Sequence, residues 1–406
     1  MSTSSLPSAW ETPHQFYLPL PFDLDSVETD FLLACSTTHL VLWYDSHLYV
    51  YSLPAFDLVH ILSSEELSIP QSIKIYGTIL VAKCENVNDV PDGFVGDCSL
   101  SFWDLSVGES LGTMILPVDV GVSTPETEVV EIEENGRLLR EEWPKIPTVI
   151  ICSPEGQFLR IYTLDHSMAR NPQNNMTDNV QRSPAMFPSM LISPIHWAPC
   201  HASMGRTAVT GGFDASVRVW DIITGQCRLV LIGHRSGVMD VRLDKTRIYS
   251  LSSDDSARIW DRHGGDCLHT LDYAPVHAFS SLDITPSYLI ITTFLMGGGC
   301  KISVWDPISG RLAYQIGNQT ARCLGPIRGK DRTLVTWGVD GGSTSGSSTY
   351  WLRTWDIKSG NMLTSFPIVP DSGSLRFDSQ GRFLMAVVKY DGEYLLEVWD
   401  FAPETR

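Results

Sequence analysis

The sequence has no apolar run of about 18 residues, so no helix that crosses a bilayer is expected from it. Positive charge is scarce. The chain carries 29 Lys and Arg against 47 Asp and Glu, a net charge of −18 and a pI near 4.9. A surface of that sign repels phosphate backbones and argues against nucleic acid as a partner. Met1 to Trp10 lack the basic-then-apolar pattern of a secretory leader. Nine cysteines, an odd number spread from Cys35 to Cys323, do not read as a disulfide framework, so reduced thiols in the cytoplasm or nucleus are expected. Catalytic signatures are missing as well. There is no Gly-x-Ser-x-Gly elbow, no Gly-Lys-Ser/Thr phosphate loop and no His-Glu-x-x-His pair. Neither enzyme activity nor a cofactor nor a small-molecule substrate is therefore expected.

What the chain does have is a repeat. Trp-Asp occurs at Trp103-Asp104, Trp220-Asp221, Trp260-Asp261, Trp305-Asp306, Trp355-Asp356 and Trp399-Asp400. Two further segments share the shape with Tyr as the anchor: Leu48-Tyr49-Val50-Tyr51-Ser52 and Leu159-Arg160-Ile161-Tyr162-Thr163. The eight anchors lie 40 to 59 residues apart, the period of one supersecondary unit whose loops tolerate insertion. Each unit reads as β. The clearest copy runs Val238 to Val241, Arg247 to Ser252, Ser256 to Trp260 and Cys267 to Leu271, with turn chemistry at Asp254-Asp255 and His263-Gly264-Gly265.

These residues resemble the WD-repeat family, strongly over 195–310, fairly over 320–401 and weakly before 165. The resemblance implies an all-β fold, a single β-propeller of four-stranded blades. The anchors give eight blades, with seven as the alternative. Residues 1–14 are expected to be a flexible N-terminus and 15–406 the propeller. Too little chain follows Trp399-Asp400 for an outer strand, so Gln15 to Leu20 are expected to supply it and close the ring. Family blades are held by a His, Ser or Thr, Asp and Trp network. His234, Ser250, Asp254 and Trp260 fit it in the fifth unit. The fourth unit repeats the spacing with Thr210, Asp214 and Trp220 but offers no matching His. Segments 84–97, 118–145, 165–190 and 341–349 read as insert loops, either solvated decoration or partner contacts open to phosphorylation at Thr124-Pro125 and Ser183-Pro184.

Several features imitate chemistry. Met296 to Cys300 is glycine-rich but lies between strands and reads as a bulged hairpin turn. His263, Cys267 and His269 resemble a metal cluster. Yet the Cys267 position is filled by Cys227, Leu312 and Met362 in other units, which reads as an apolar slot on the outer strand rather than a ligand. The family's partner contacts lie on the wide face of the propeller. The resemblance carries them to His196, Met239, His277 and Arg322 on innermost strands, and to Phe213, Ser253, Val339 and Tyr390 before the network Asp. Aromatic, Met and Arg side chains suit protein or peptide recognition. The family's F-box receptors for phosphorylated degrons place several arginines at such positions. Here only Arg322 is basic, and the stretch before the first blade is too short for an F-box. The expected function is a non-enzymatic scaffold or adaptor for protein or peptide partners, in a ubiquitin ligase or another multiprotein complex, away from membranes. Two alternatives stay open: an active site at the channel using His196 and His277, and RNA contact through Arg322, Arg328, Lys330 and Arg332.

Overall fold

The computed structural model describes residues 14–20, 32–44, 46–63, 70–85, 98–116, 121–123, 128–134, 137–143, 148–152, 159–164, 186–192, 198, 200–273, 280–294, 300–319, 321–323, 333–339, 350–368, 376–377, 383–390 and 393–400. Every regular element among them is a strand. The chain enters with β1 (His14–Pro19). The first sheet is β2 (Leu32–Cys35), β3 (His39–Tyr44), β4 (His47–Ser52) and β5 (Leu58–Ser63), and the second is β6 (Pro70–Tyr76), β7 (Ile79–Glu85), β8 (Cys98–Asp104) and β9 (Glu109–Leu116). In the third, β10 (Gly121–Ser123) is followed by a separate pair, β11 (Glu128–Glu134) and β12 (Arg137–Trp143). The chain then returns as β13 (Thr148–Cys152), β14 (Leu159–Leu164) and β15 (Met186–Ile192).

The fourth sheet is β16 (Cys200–Met204), β17 (Thr207–Gly211), β18 (Ser216–Asp221) and β19 (Cys227–Ile232). The fifth is β20 (Val238–Leu243), β21 (Arg247–Ser252), β22 (Ser256–Asp261) and β23 (Cys267–Asp272). The sixth comprises β24 (Ser280–Ile284), β25 (Leu289–Phe294), β26 (Cys300–Asp306) and β27 (Arg311–Gln319). The seventh comprises β28 (Ala321–Cys323), β29 (Thr333–Val339), β30 (Tyr350–Asp356) and β31 (Met362–Ile368). In the eighth, β32 (Arg376–Phe377), β33 (Phe383–Tyr390) and β34 (Glu393–Asp400) are joined on the outside by β1, antiparallel to β34 from His14 opposite Asp400 to Pro19 opposite Leu395.

Sheets pack on sheets. The innermost strands touch in succession, β2 on β6, β10 on β16, β16 on β20 and β20 on β24, and β2 also meets β32 of the last sheet. The cores therefore lie between sheets. Val209, Val217, Val219 and Leu231 of the fourth meet Val238, Val241, Ile248 and Trp260 of the fifth in one apolar layer. Equivalent layers join the eighth to the first and the fifth to the sixth. The second strands β17 and β21 are buried almost from end to end, whereas β19 and β23 on the outside are mostly exposed.

The repeat has a local cause. A β-bulge precedes the anchor in sheet after sheet, at Val50/Tyr51, Phe102/Trp103, Ile161/Tyr162, Val219/Trp220, Ile259/Trp260, Val304/Trp305 and Thr354/Trp355. The Asp that follows caps the turn to the outer strand. Asp221 Oδ1 accepts from Ile223 N at 2.9 Å, Asp306 Oδ1 from Ile308 N at 2.8 Å and Asp356 Oδ1 from Lys358 N at 2.8 Å. Four residues after that Asp, Gly108, Gly225, Gly265, Gly310 and Gly360 each take a positive φ and donate N–H back to the Asp carbonyl. A side chain there would be strained.

Two sequence expectations change. Segment 118–145 is not one loop, because β10 inside it is the edge strand of the third sheet and β11 with β12 forms a hairpin. Glu interspersed with Val and Ile has the composition of a solvated loop but here forms paired strands. The second concerns Cys227, Cys267, Leu312 and Met362, which are exposed on outer strands and are not apolar slots. Leu312 is 41% accessible and Met362 53%. The other expected inserts, and the expected flexible N-terminus before His14, lie largely outside the described residues. Among the described residues no helix is long and apolar enough to cross a membrane.

Candidate functional site

Three loops meet where the fourth and fifth sheets adjoin. Val238 N donates to Gly212 O at 2.9 Å and Ser253 N to Gly237 O at 3.0 Å. Ser252 Oγ donates to the carbonyls of Ser236 and Gly237 at 2.9 and 3.0 Å. Gly237 packs against Phe213 so closely that a Cβ would lie 2.9 Å from the ring, so glycine permits this junction. Met239 is the extra residue of a bulge between Val238 and Asp240, which turns its side chain out of the ladder. Phe213 is 49% accessible and Met239 44%, with Ser253 exposed beside them. The junction thus brings together three residues that the sequence spreads over some forty positions.

Of the remaining candidates, His196 and His277 lie outside the described residues. Arg322 is within β28 opposite Trp337, Val339 ends β29, and Tyr390 ends β33, the strand positions that Gly211 and Ser252 occupy in their own sheets. The RNA candidates Arg328, Lys330 and Arg332 also lie outside the described residues.

Beneath the junction is a buried relay. Trp260 Nε1 donates to Ser250 Oγ at 2.8 Å, and Ser250 Oγ lies 2.7 Å from His234 Nε2. His234 Nδ1 is 3.1 Å from Asp254 Oδ2. Burial lowers the His234 pKa, against the opposing pull of Asp254, which keeps the imidazole neutral at pH 7. Burial also opposes ionisation of Asp254. Donation from the Ser256 hydroxyl, the Arg235 N–H and His234 outweighs it and brings the carboxyl down to about 2. Asp255 follows at φ 64°, in the turn. Partial versions recur: Trp220 Nε1 donates to Thr210 Oγ1 and Trp355 Nε1 to Thr336 Oγ1, both at 2.9 Å.

The inner wall carries charge that sequence reasoning missed. Asp240 is paired with Arg242 and accepts from Leu282 N of the next sheet at 3.0 Å, and burial raises its pKa. His201 of β16 is driven down to about 4, by burial first and then by Lys74 of β6 and Arg242 of β20. These side chains come from three innermost strands and sense one another across the sheets. The available signal was a charge embedded in an apolar strand, as in Ile73-Lys74-Ile75 and Val241-Arg242-Leu243. Among the described residues no group of three or more His, Cys, Asp or Glu is placed to hold a metal ion.

No family model matches the chain. It is 24% identical over 289 residues to the nuclear distribution protein PAC1-2 of Uncinocarpus reesii, covering 65% of this chain and 55% of that protein. To cell division control protein 4 of Saccharomyces cerevisiae it is 25% identical over 221 residues, 50% of this chain and 27% of the relative. The F-box/WD repeat-containing protein sel-10 of Caenorhabditis elegans is 38% identical over 65 residues, 15% of this chain and 11% of its own. The chain thus spans about half the length of the first of these curated relatives and less of the other two. The crystal structure of the computationally designed Ika8 protein superposes with a TM-score of 0.56 at 16% identity, over 93% of this chain and 98% of that one, a likeness of fold alone. With its bulged Trp-Asp strands and its ring of four-stranded sheets, the chain has the fold of a β-propeller, and it is similar to WD-repeat proteins.

Proposed function

We propose that this chain is a non-enzymatic interaction scaffold, one propeller domain whose wide face takes protein or peptide partners at the junction of the fourth and fifth sheets. The observation that carries this reading is the pair Phe213 and Met239, both large, apolar and about half accessible on a rigid, hydrogen-bonded loop cluster. An aromatic and a flexible thioether held by loops on a stiff frame provide the usual anchors of a protein interface. Arg322, Val339 and Tyr390 extend the same face in this reading. Cell division control protein 4 and the F-box/WD repeat-containing protein sel-10 favour an adaptor role within a multiprotein complex such as a ubiquitin ligase, in the cytoplasm or nucleus.

The test is Phe213→Ala combined with Met239→Ala, expressed at native level and compared with wild type by quantitative mass spectrometry of copurifying proteins. At least one stoichiometric partner should fall about tenfold while the melting temperature stays unchanged, because neither side chain is in the core. If every copurifying protein is retained, the face is misplaced.

A further inference from the structure

Strand alternation places two polar side chains of β16 on one face. Cys200, Ala202 and Met204 pack into the layer shared with the fifth sheet, so His201 and Ser203 face the other way, toward the third. Their polar ends are stranded there. His201 Nε2 and Ser203 Oγ are both buried, and among the described residues neither has a hydrogen-bond partner. An unpaired buried polar group is costly, and native proteins rarely keep two on one face of a strand.

Lys74 approaches from the opposite side of the third sheet. Ile73 and Ile75 of β6 pack into the layer shared with the first sheet, which turns Lys74 toward the third. It stays accessible to solvent, yet protein surrounds it closely enough to lower its pKa, by burial first and then by the like charges of Lys83 and Arg242. Arg242 belongs to the fifth sheet, which does not adjoin the second, so the two cations sense each other across the middle of the ring. Among the described residues Lys74 has no carboxylate partner. The carboxylate of Asp240 is already engaged by Arg242 and Leu282 N, with Asp283 beside it. What remains is a set of donors without an acceptor: an ammonium, an imidazole and a hydroxyl. We propose that Lys74, His201 and Ser203 hold a small oxyanion, a phosphate or a carboxylate, at the inner wall of the ring. The anion accepts from Lys74 Nζ, from the Nε2–H of a neutral His201 and from the Ser203 hydroxyl, with Arg242 adding its field. The site uses no residue of the Phe213 junction and stands or falls independently of it.

The test is isothermal titration calorimetry on the full chain in Tris chloride at constant ionic strength. Inorganic phosphate or acetate should bind at one saturable site that added chloride does not reproduce. If neither probe binds, or if chloride matches them, water alone satisfies the donors and the proposal fails. Lys74→Met should weaken the probe about tenfold, the loss of one charge-assisted hydrogen bond. Lys245→Met removes the same charge from an exposed turn and should leave affinity within about twofold. Equal losses in the two variants would reduce binding to net charge and overturn the proposal. Ser203→Ala guards against a folding artefact. With no partner for the hydroxyl in the free protein, alanine should keep or raise the melting temperature without anion, while affinity falls about threefold to tenfold. A lower melting temperature would mean that Ser203 is bonded within the protein, and an unchanged affinity would place the anion elsewhere. Either result rejects the site.

Discussion

Replacing Ser250 with alanine dissects the buried relay of the fifth sheet. The side chain is fully buried, and the change removes a single oxygen. Because His234 Nδ1 faces a carboxylate at 3.1 Å, it carries the ring proton there, so Nε2 accepts and the Ser250 hydroxyl donates to it. The same oxygen accepts from Trp260 Nε1. Alanine strands the indole N–H and the imidazole nitrogen together. At about 1–3 kcal/mol for each stranded buried group, Ser250→Ala should cost about 2–6 kcal/mol. Thr336→Val is the matched control, since Thr336 is equally buried and, among the described residues, accepts from the Trp355 indole alone, so about 1–3 kcal/mol is expected. Urea unfolding gives the totals, and hydrogen exchange over 238–272 locates the loss. The relay also has a pH signature. With the folded His234 pKa lowered, the unfolded chain takes up that proton first as pH falls below 6.5, so stability is lost below that value and regained above it. If Ser250→Ala costs no more than Thr336→Val, the imidazole and carboxylate contribute nothing, and the fifth sheet rests on apolar packing like its siblings.

Two more tests address side chains that the repeat does not explain. Arg262 follows Trp260-Asp261 where other sheets place Leu105, Ile222, Pro307 or Ile357. Its buried guanidinium donates to Asp244 O at 2.9 Å, Met204 O at 3.1 Å and Thr207 Oγ1 at 2.9 Å, tying the fifth sheet to the fourth. Arg262→Ala should cost about 2–4 kcal/mol in urea unfolding, with Arg262→Ile recovering part of it, and a neutral alanine would remove Arg262 from the fold's supports. At the closure seam, burial raises the Glu397 pKa even though Gln15 and Tyr17 donate to its carboxylate. A raised folded pKa means that the stability present below 4.5 is lost as pH rises through the folded value. Glu397→Gln should flatten that slope and be at least as stable as wild type at pH 7, and a steep loss at pH 7 would show that the ionised carboxylate holds β1.

The architecture was legible because one local event, a bulge, an aromatic anchor and an Asp-capped turn, recurs with fixed residue types. Even the glycine four residues past five of the six Trp-Asp pairs was available as a signal. The acidic hairpin was missed although Asn135-Gly136 between alternating runs is a strong hairpin signature. The density of Glu gives the segment the composition of a solvated loop. Arg262 and Glu397 were illegible for a different reason. Each occupies a position defined by a neighbouring sheet or by the chain's far end, and no spacing within one repeat encodes such a contact. The Phe213 and Met239 junction came only through likeness to the family, since nothing local marks Met239 as a bulge.

Gln15 and Glu397 meet across 382 residues of sequence. On a ribosome, β1 emerges before every other strand of its sheet and waits with its hydrogen-bonding edge open until β34 has been made. Throughout synthesis the newborn protein is a row of sheets with two raw margins, each a template for a stray strand. The final sheet becomes whole only when β1 and β34 join, so a nick between β1 and β2 would leave β1 held by that ladder and by Phe16 and Leu18 packed against the layer between the eighth and first sheets.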